Sequence, residues 1–318
     1  MISFQEVQDA RNRTASYIRR TPLNRSQTLS QQLGTNVYVK YELFQKTGSF
    51  KPRGAFNQVL QLSQAQKDEG AVAVSGGNFA QAVAYAGQIL GIRTRIIMPA
   101  YTPQNYIEAT KSYGAQVELA PGLPEAFEMA HTYRQQGMAA LHPYDHPAML
   151  AGNGSLGLEI LEDLPEMTDV FISIGGGGLI AGMMLAIKSI KPQVRIWGVE
   201  TEGSDTMGQA LQAGKVVQIK PASLAKTLGA PYVAEDALTL AQKYLERHIL
   251  VSDREAILAE IFLLERLKVL TELAASCTLA AAQRLEGIFT NKDHVVLLLC
   301  GGNVSMQSMM DYHKQFRE

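Results

Sequence analysis

Two cysteines, Cys277 and Cys300, are all that the 318 residues contain, too few for a disulfide framework. Charge of one sign is missing as well: 29 basic against 30 acidic residues leave a net charge of -1. That removes the usual reason to expect nucleic acid or an anionic membrane as a partner. No apolar run approaches the roughly 20 residues needed to span a bilayer, and the polar start MISFQEVQDARNRT lacks the apolar core of a secretory signal. Low-complexity segments, fixed-period repeats and long charged tails are absent too. His142 and His146 are four apart, but Pro143 and Pro147 break any shared helix face. They read as loop residues, and no metal site is expected from the histidines. What remains is a chain that is 46% hydrophobic and 19% charged, the balance of a soluble globular protein of one large or two modest domains. Cytoplasm is the expected compartment.

Short apolar runs alternate with segments of helical periodicity. The runs predict strands at 36–41, 71–75, 94–98, 116–119, 169–174, 195–200 and 294–300. Apolar spacing of three and four predicts helices at 79–90, 106–113, 179–187 and 238–245. Strands separated by helices indicate an α/β protein with mostly parallel sheets. Turn-rich stretches at 142–147 (HPYDHP) and before Ala71 (SQAQKDEG) bracket a smaller unit. The expected division is a large domain of residues 1–69 and 146–318 around a small domain of 70–145.

Four segments could carry chemistry. The turn Gly175-Gly176-Gly177-Gly178-Leu179 follows the apolar strand VFISI and opens a helix. Consecutive glycines are costly in conformational entropy, and a helix N-terminus offers free N–H groups and a positive dipole end to an anion. A phosphate is the natural occupant; a tight turn without a ligand is the alternative. The run matches neither a phosphate-binding P-loop nor a full dinucleotide fingerprint, although Glu200 keeps the latter open. The second segment, Thr47–Ala55, holds Lys51 between a strand and a helix with Phe50 beside it. A lysine there is solvated by default, but desolvation or nearby positive charge makes it a nucleophilic amine. The third, Ser75-Gly76-Gly77-Asn78, could bind a carboxylate and a phenolic oxygen or simply cap the following helix. The fourth places Cys300 at the end of HVVLLL, where a buried thiol is ordinarily packing; Cys277 reads as core.

Taken in order, these segments resemble the fold-type II pyridoxal-5′-phosphate (PLP) enzymes, a tryptophan synthase β-like fold. They are most similar to the serine/threonine dehydratase group that includes serine racemase. The likeness runs from Thr21-Pro22-Leu23 through YVKYELFQKTGSFKPRGA (38–55), Ser75–Gln81, AGNGSLGLE (151–159), Gly175–Gly182 and Gly198-Val199-Glu200 to Cys300–Asn303. It implies two open, mostly parallel αβα domains. It also implies PLP held as a Schiff base on Lys51, which later takes the Cα proton of a small amino-acid substrate. Phe50, Asn78, Gly175, Gly176, Gly177, Gly178, Leu179, Glu272 and Cys300 would complete the cofactor site, with Cys300 facing the pyridine nitrogen as a neutral thiol. Ser75, Gly76, Gly77 and Asn78 would bind the substrate. The implied reaction is β-elimination from L-threonine or L-serine to a 2-oxo acid and ammonia, in amino acid metabolism. The implied assembly is a homodimer. The sequence ends near where the catalytic core of such enzymes ends, so no C-terminal regulatory domain is expected.

Departures qualify the resemblance. Serine racemase carries a serine where this chain has Gly76, so racemisation is expected to be weak or absent; racemase and β-replacement remain the alternative activities. Phe79 stands where a histidine or small residue is usual, and Asn153 replaces a glutamine. Relatives that bind a cation use a glutamate, a carbonyl and an aspartate; Glu200, Ser204 and Thr206 stand there, and losing the second carboxylate weakens a hard-cation site.

Overall fold

A parallel sheet covered by helices on both faces needs strands that are apolar on both faces, and this chain supplies them. In the computed structural model, residues 1–315 are described. Ten strands form among them: β1 Leu23–Arg25, β2 Asn36–Tyr41, β3 Ala71–Val74, β4 Thr94–Pro99, β5 Gln116–Ala120, β6 Ala139–Leu141, β7 Asp169–Ser173, β8 Arg195–Thr201, β9 Arg247–Val251 and β10 His294–Leu299. Six join in the order β1-β2-β10-β7-β8-β9 and four in the order β5-β4-β3-β6. Every pairing is parallel except β1 with β2. All of β7 and all but the first residue of β10 are buried, as central strands of a doubly covered sheet must be. No helix among the described residues is long and apolar enough to cross a membrane.

All seven expected strands are present, three of them ending one residue early. Ser75, Ile174 and Cys300 lie just beyond β3, β7 and β10, because the chain turns there to feed the site. Sequence pattern missed β1, β6 and β9. The first two have only three residues each, and β9 begins with the exposed Arg247, so none has the run that marks a buried strand. The helices Asn78–Leu90, Gln104–Ser112, Gly178–Ile190 and Glu235–Tyr244 lie where periodicity placed them, shifted by up to three residues at an end.

Small residues set the helix packing beneath the first sheet. A Cβ at Gly182 would lie 2.0 Å from the Leu150 carbonyl oxygen, and one at Gly154 would lie 2.8 Å from the Gly182 carbonyl oxygen. The helices Pro147–Asp163 and Gly178–Ile190 therefore touch backbone to backbone. On the other side, a Cβ at Gly152 would lie 2.5 Å from the Arg53 carbonyl oxygen, drawing in the helix Pro52–Leu60. The glycines of AGNGSLG thus serve close approach.

A buried ionic network ties these helices to β2. Arg53 bonds Glu42 at 2.7 Å and Glu159 at 2.9 Å, while Lys40 bonds Glu159 at 2.6 Å. Lys40, Glu42 and Arg53 are at most 1% exposed and Glu159 is 7% exposed. Two buried cations thereby face two buried carboxylates, with the part-exposed Asp163 also 3.3 Å from Lys40, so neither buried cation is left unpaired.

Candidate active site

Four loops converge at the carboxyl ends of the strands, where open α/β sheets place their ligands. The loop carrying Lys51 is drawn in by backbone: Phe50 N–H donates to the Cys300 carbonyl at 3.0 Å, and Ser49 bridges Gly301. Thr47 takes a left-handed φ of 59° in the same loop, a conformation uncommon outside glycine. Lys51 then precedes the helix Pro52–Leu60, whose proline at the first position suits a helix start.

Lys51 Nζ lies 5.0 Å from the centre of the Phe50 ring and 5.8 Å from that of Phe79, and donates to the Pro143 carbonyl at 2.7 Å. Burial of the ammonium pulls its pKa down to about 8, against the opposing pull of Cys300 and Glu272. Most of this desolvation was invisible in the local sequence, because the Phe79 ring and the Pro143 carbonyl come from distant segments.

Beside it, Asn78 Nδ2 donates to Glu272 at 2.8 Å, and Asn78 Oδ1 accepts from Asn303 Nδ2 at 2.8 Å. Asn303 also donates to the Thr47 carbonyl at 2.8 Å, so one amide links the lysine loop to Asn78. Burial pushes the Glu272 carboxyl up to about 7, against the hydrogen bond from Asn78. Its second oxygen has no hydrogen-bond partner among the described residues. Cys300 accepts from Ser173 Oγ at 3.4 Å, and burial raises its thiol to about 12, so it is neutral at physiological pH.

The glycine turn meets the same region. Gly177 takes a φ of 86° at the helix N-cap, which only glycine adopts freely. A Cβ at Gly176 would fall 2.2 Å from the Tyr144 ring, so this glycine seats an aromatic side chain. Asn153 Nδ2 donates to the Gly178 carbonyl at 3.1 Å, and the first N–H groups of the helix lack intrahelical acceptors. Thr227 connects the two glycine turns: its methyl faces Gly77 and its carbonyl faces Gly175. Sequence reasoning missed Thr227, Asn303 and Tyr144, which carry no local motif beyond the GGN of Cys300–Asn303.

The geometry therefore groups Phe50, Lys51, Ser75–Asn78, Gly175–Leu179, Glu272 and Cys300 around one end of the sheets. Glu200 belongs to a different local structure. Its Oε1 accepts from Met207 N and its Oε2 from Gly208 N and His248 Nε2, at 2.8–2.9 Å. It is thus a buried cap for the helix Thr206–Ala213. Thr206 Oγ1 is turned away, donating to the Ala230 carbonyl at 2.9 Å. No group of three or more His, Cys, Asp or Glu among the described residues could hold a metal ion. His142 lies in a loop and His146 caps the helix at Pro147 through Nδ1, so the two share no helix face. Cys277 is fully buried core.

Residues 14–301 match the family model described as pyridoxal-phosphate dependent enzyme. An L-threonine ammonia-lyase of Thermotoga maritima is 38% identical over 98% of this chain and 78% of its own length. An L-threo-3-hydroxyaspartate ammonia-lyase of Saccharomyces cerevisiae is 34% identical over 96% and 94%. Among solved structures, maize serine racemase superposes with a TM-score of 0.92 at 29% identity, covering 100% of this chain and 99% of that one.

Proposed function

Because the chain belongs to the pyridoxal-phosphate dependent enzymes of fold type II, we propose that it is a PLP-dependent ammonia-lyase. Its proposed reaction eliminates the β-hydroxyl of L-threonine or L-serine as water, and water then hydrolyses the released enamine to the 2-oxo acid and ammonia. The likeness to the Thermotoga threonine ammonia-lyase supports the reaction class. The observation that carries the reading is Lys51, an amine whose pKa is lowered to about 8 at the meeting point of all four loops.

The residues present fit the cofactor. The glycine turn leaves helix N–H groups free for a phosphate, Glu272 keeps an unpartnered buried oxygen, and Cys300 is a neutral thiol. Lys51, Phe50, Asn78, Glu272, Cys300 and the backbone of Gly175, Gly176, Gly177, Gly178 and Leu179 would hold it. PLP, when bound, supplies an electron-accepting ring joined to the protein through the Lys51 amine. Lys51 takes the Cα proton of the substrate. Phe50 and Phe79 exclude water around it, and Asn303 with Glu272 fixes the Asn78 amide. A neutral thiol at Cys300 leaves the ring a weaker electron sink, which suits elimination over longer-lived carbanion chemistry. Ser75, Gly76, Gly77 and Asn78 offer the helix start at which a substrate carboxylate binds.

Racemisation is the less supported reading, since Gly76 carries no side chain to return a proton. The proposal also includes a large domain of 1–69 and 146–318, a small one of 70–145, a homodimer and a cytoplasmic location. The four strands of the smaller sheet support the division, all lying within 71–141.

The test is a panel of L-serine, L-threonine, 3-hydroxyaspartate and phenylserine assayed for ammonia and 2-oxo acid. Release from threonine or serine is expected, with loss of activity in Lys51→Ala. Silence on all four, or rapid formation of D-serine, would overturn it.

A further inference from the structure

Gly76 is crowded rather than open. A Cβ built there would meet Thr102 Oγ1 at 2.5 Å, while the methyl and Cβ of Thr102 stand off at 3.4 and 3.5 Å. The hydroxyl, not the methyl, is therefore the group turned toward Gly76. Thr102 follows β4 and is held in its turn by its N–H donating to the Pro99 carbonyl at 2.9 Å. It is 7% exposed, and its hydroxyl has no hydrogen-bond partner among the described residues. A buried hydroxyl left unpaired is costly, so the position calls for a ligand.

The surroundings indicate which ligand. The helix Asn78–Leu90 has Gly77 as its N-cap and no side-chain cap, so the N–H groups of Asn78 and Phe79 lack intrahelical acceptors and its dipole favours an anion. Ser75 Oγ accepts from Gly77 N at 3.2 Å, which leaves the hydroxyl proton of Ser75 free to donate. Phe79, in the first turn of that helix, borders Lys51 Nζ.

We propose that Thr102 is a substrate-positioning residue whose hydroxyl donates to the α-carboxylate of the amino acid seated on the 75–78 turn. The hydroxyl reaches the turn from the end of β4 because residue 76 has no side chain of its own. This deepens the ammonia-lyase reading and rests on it for the substrate class. It also explains why Gly76 is glycine: a side chain there would displace the donor.

The experiment compares wild-type holoenzyme with Thr102→Val, which keeps the shape and removes the hydroxyl, and Thr102→Ser, which restores it. Glycine is the probe, because it has the α-carboxylate but no β-leaving group, and its binding is followed by the cofactor absorbance. Thr102→Val is expected to weaken glycine binding about tenfold to a hundredfold, the loss of a hydrogen bond to a charged group. The KM for threonine should rise comparably while kcat changes less, and Thr102→Ser should stay near wild type. Should Thr102→Val fail to fold, Thr102→Ala provides the same comparison. Unchanged glycine affinity and KM in the hydroxyl-free variant would overturn the proposal. A wild type that binds glycine yet releases no ammonia from threonine or serine would instead refute the lyase reading, leaving the glycine comparison to judge Thr102.

Discussion

Lys51 is held by a carbonyl at its tip and flanked by two aromatic rings, and neither kind of neighbour compensates a full positive charge as a carboxylate would. Its pKa therefore sits near 8, and the sign of the consequence follows. Only the free amine can attack a carbonyl, so below pH 8 the protonated fraction suppresses the reaction and above it the rate levels off. Capture of PLP by the stripped protein, followed by absorbance in stopped flow, is expected to rise with pH to a midpoint near 8. A midpoint near the 10.4 of an ordinary lysine would show that the ammonium is solvated. Lys51 itself was legible in the sequence only through the motif around it. The causes of its lowered pKa were not, since Phe79 and Pro143 reach it from other segments. Thr47 shows the same limit: its left-handed backbone is imposed by tertiary contacts and leaves no trace in residue type.

At the scale of elements, the long buried runs gave themselves away. HVVLLL and DVFIS can only be central strands, whereas the three-residue β1 and β6 pair because of where their neighbours lie. The helix Pro147–Asp163 was harder to see, since four of its residues in AGNGSLG are glycine or serine, poor helix formers in isolation. Its stability comes from backbone contact with two other helices. Gly182→Ala should therefore lose stability although alanine is the better helix former by about 1 kcal/mol. Its methyl would meet a carbonyl oxygen at 2.0 Å, so the helices must separate. A loss of about 2–3 kcal/mol in urea unfolding is expected; an unchanged midpoint would mean that the crossing is looser than this geometry.

Across the whole molecule, the two sheets meet at the site. Tyr106, on the helix Gln104–Ser112 beside the smaller sheet, donates its hydroxyl to the Asn303 carbonyl just beyond β10 of the larger one. A cofactor bound as proposed would be gripped by loops of both sheets, so its removal should be felt globally. Stripping PLP is expected to lower the melting temperature, and adding it back should restore it in a concentration-dependent way. Saturation at about 1,000 times Kd corresponds to roughly 4 kcal/mol. A melting temperature indifferent to PLP would mean that the cofactor does not couple the two sheets. The parallel α/β architecture was readable from alternation alone, but the joining of the sheets was not, because it depends on single residues such as Tyr106 and Thr227. The buried charges have one further consequence, in the order of events as the chain is made. Lys40, Glu42 and Arg53 leave the ribosome early, whereas Glu159 follows more than a hundred residues after Arg53. Until it arrives, two cations share one carboxylate, and burying the surplus charge is prohibitive. The nascent N-terminal segment is therefore expected to keep that face wet while the strands of the smaller sheet are synthesised, until Glu159 lets the helix Pro52–Leu60 dock.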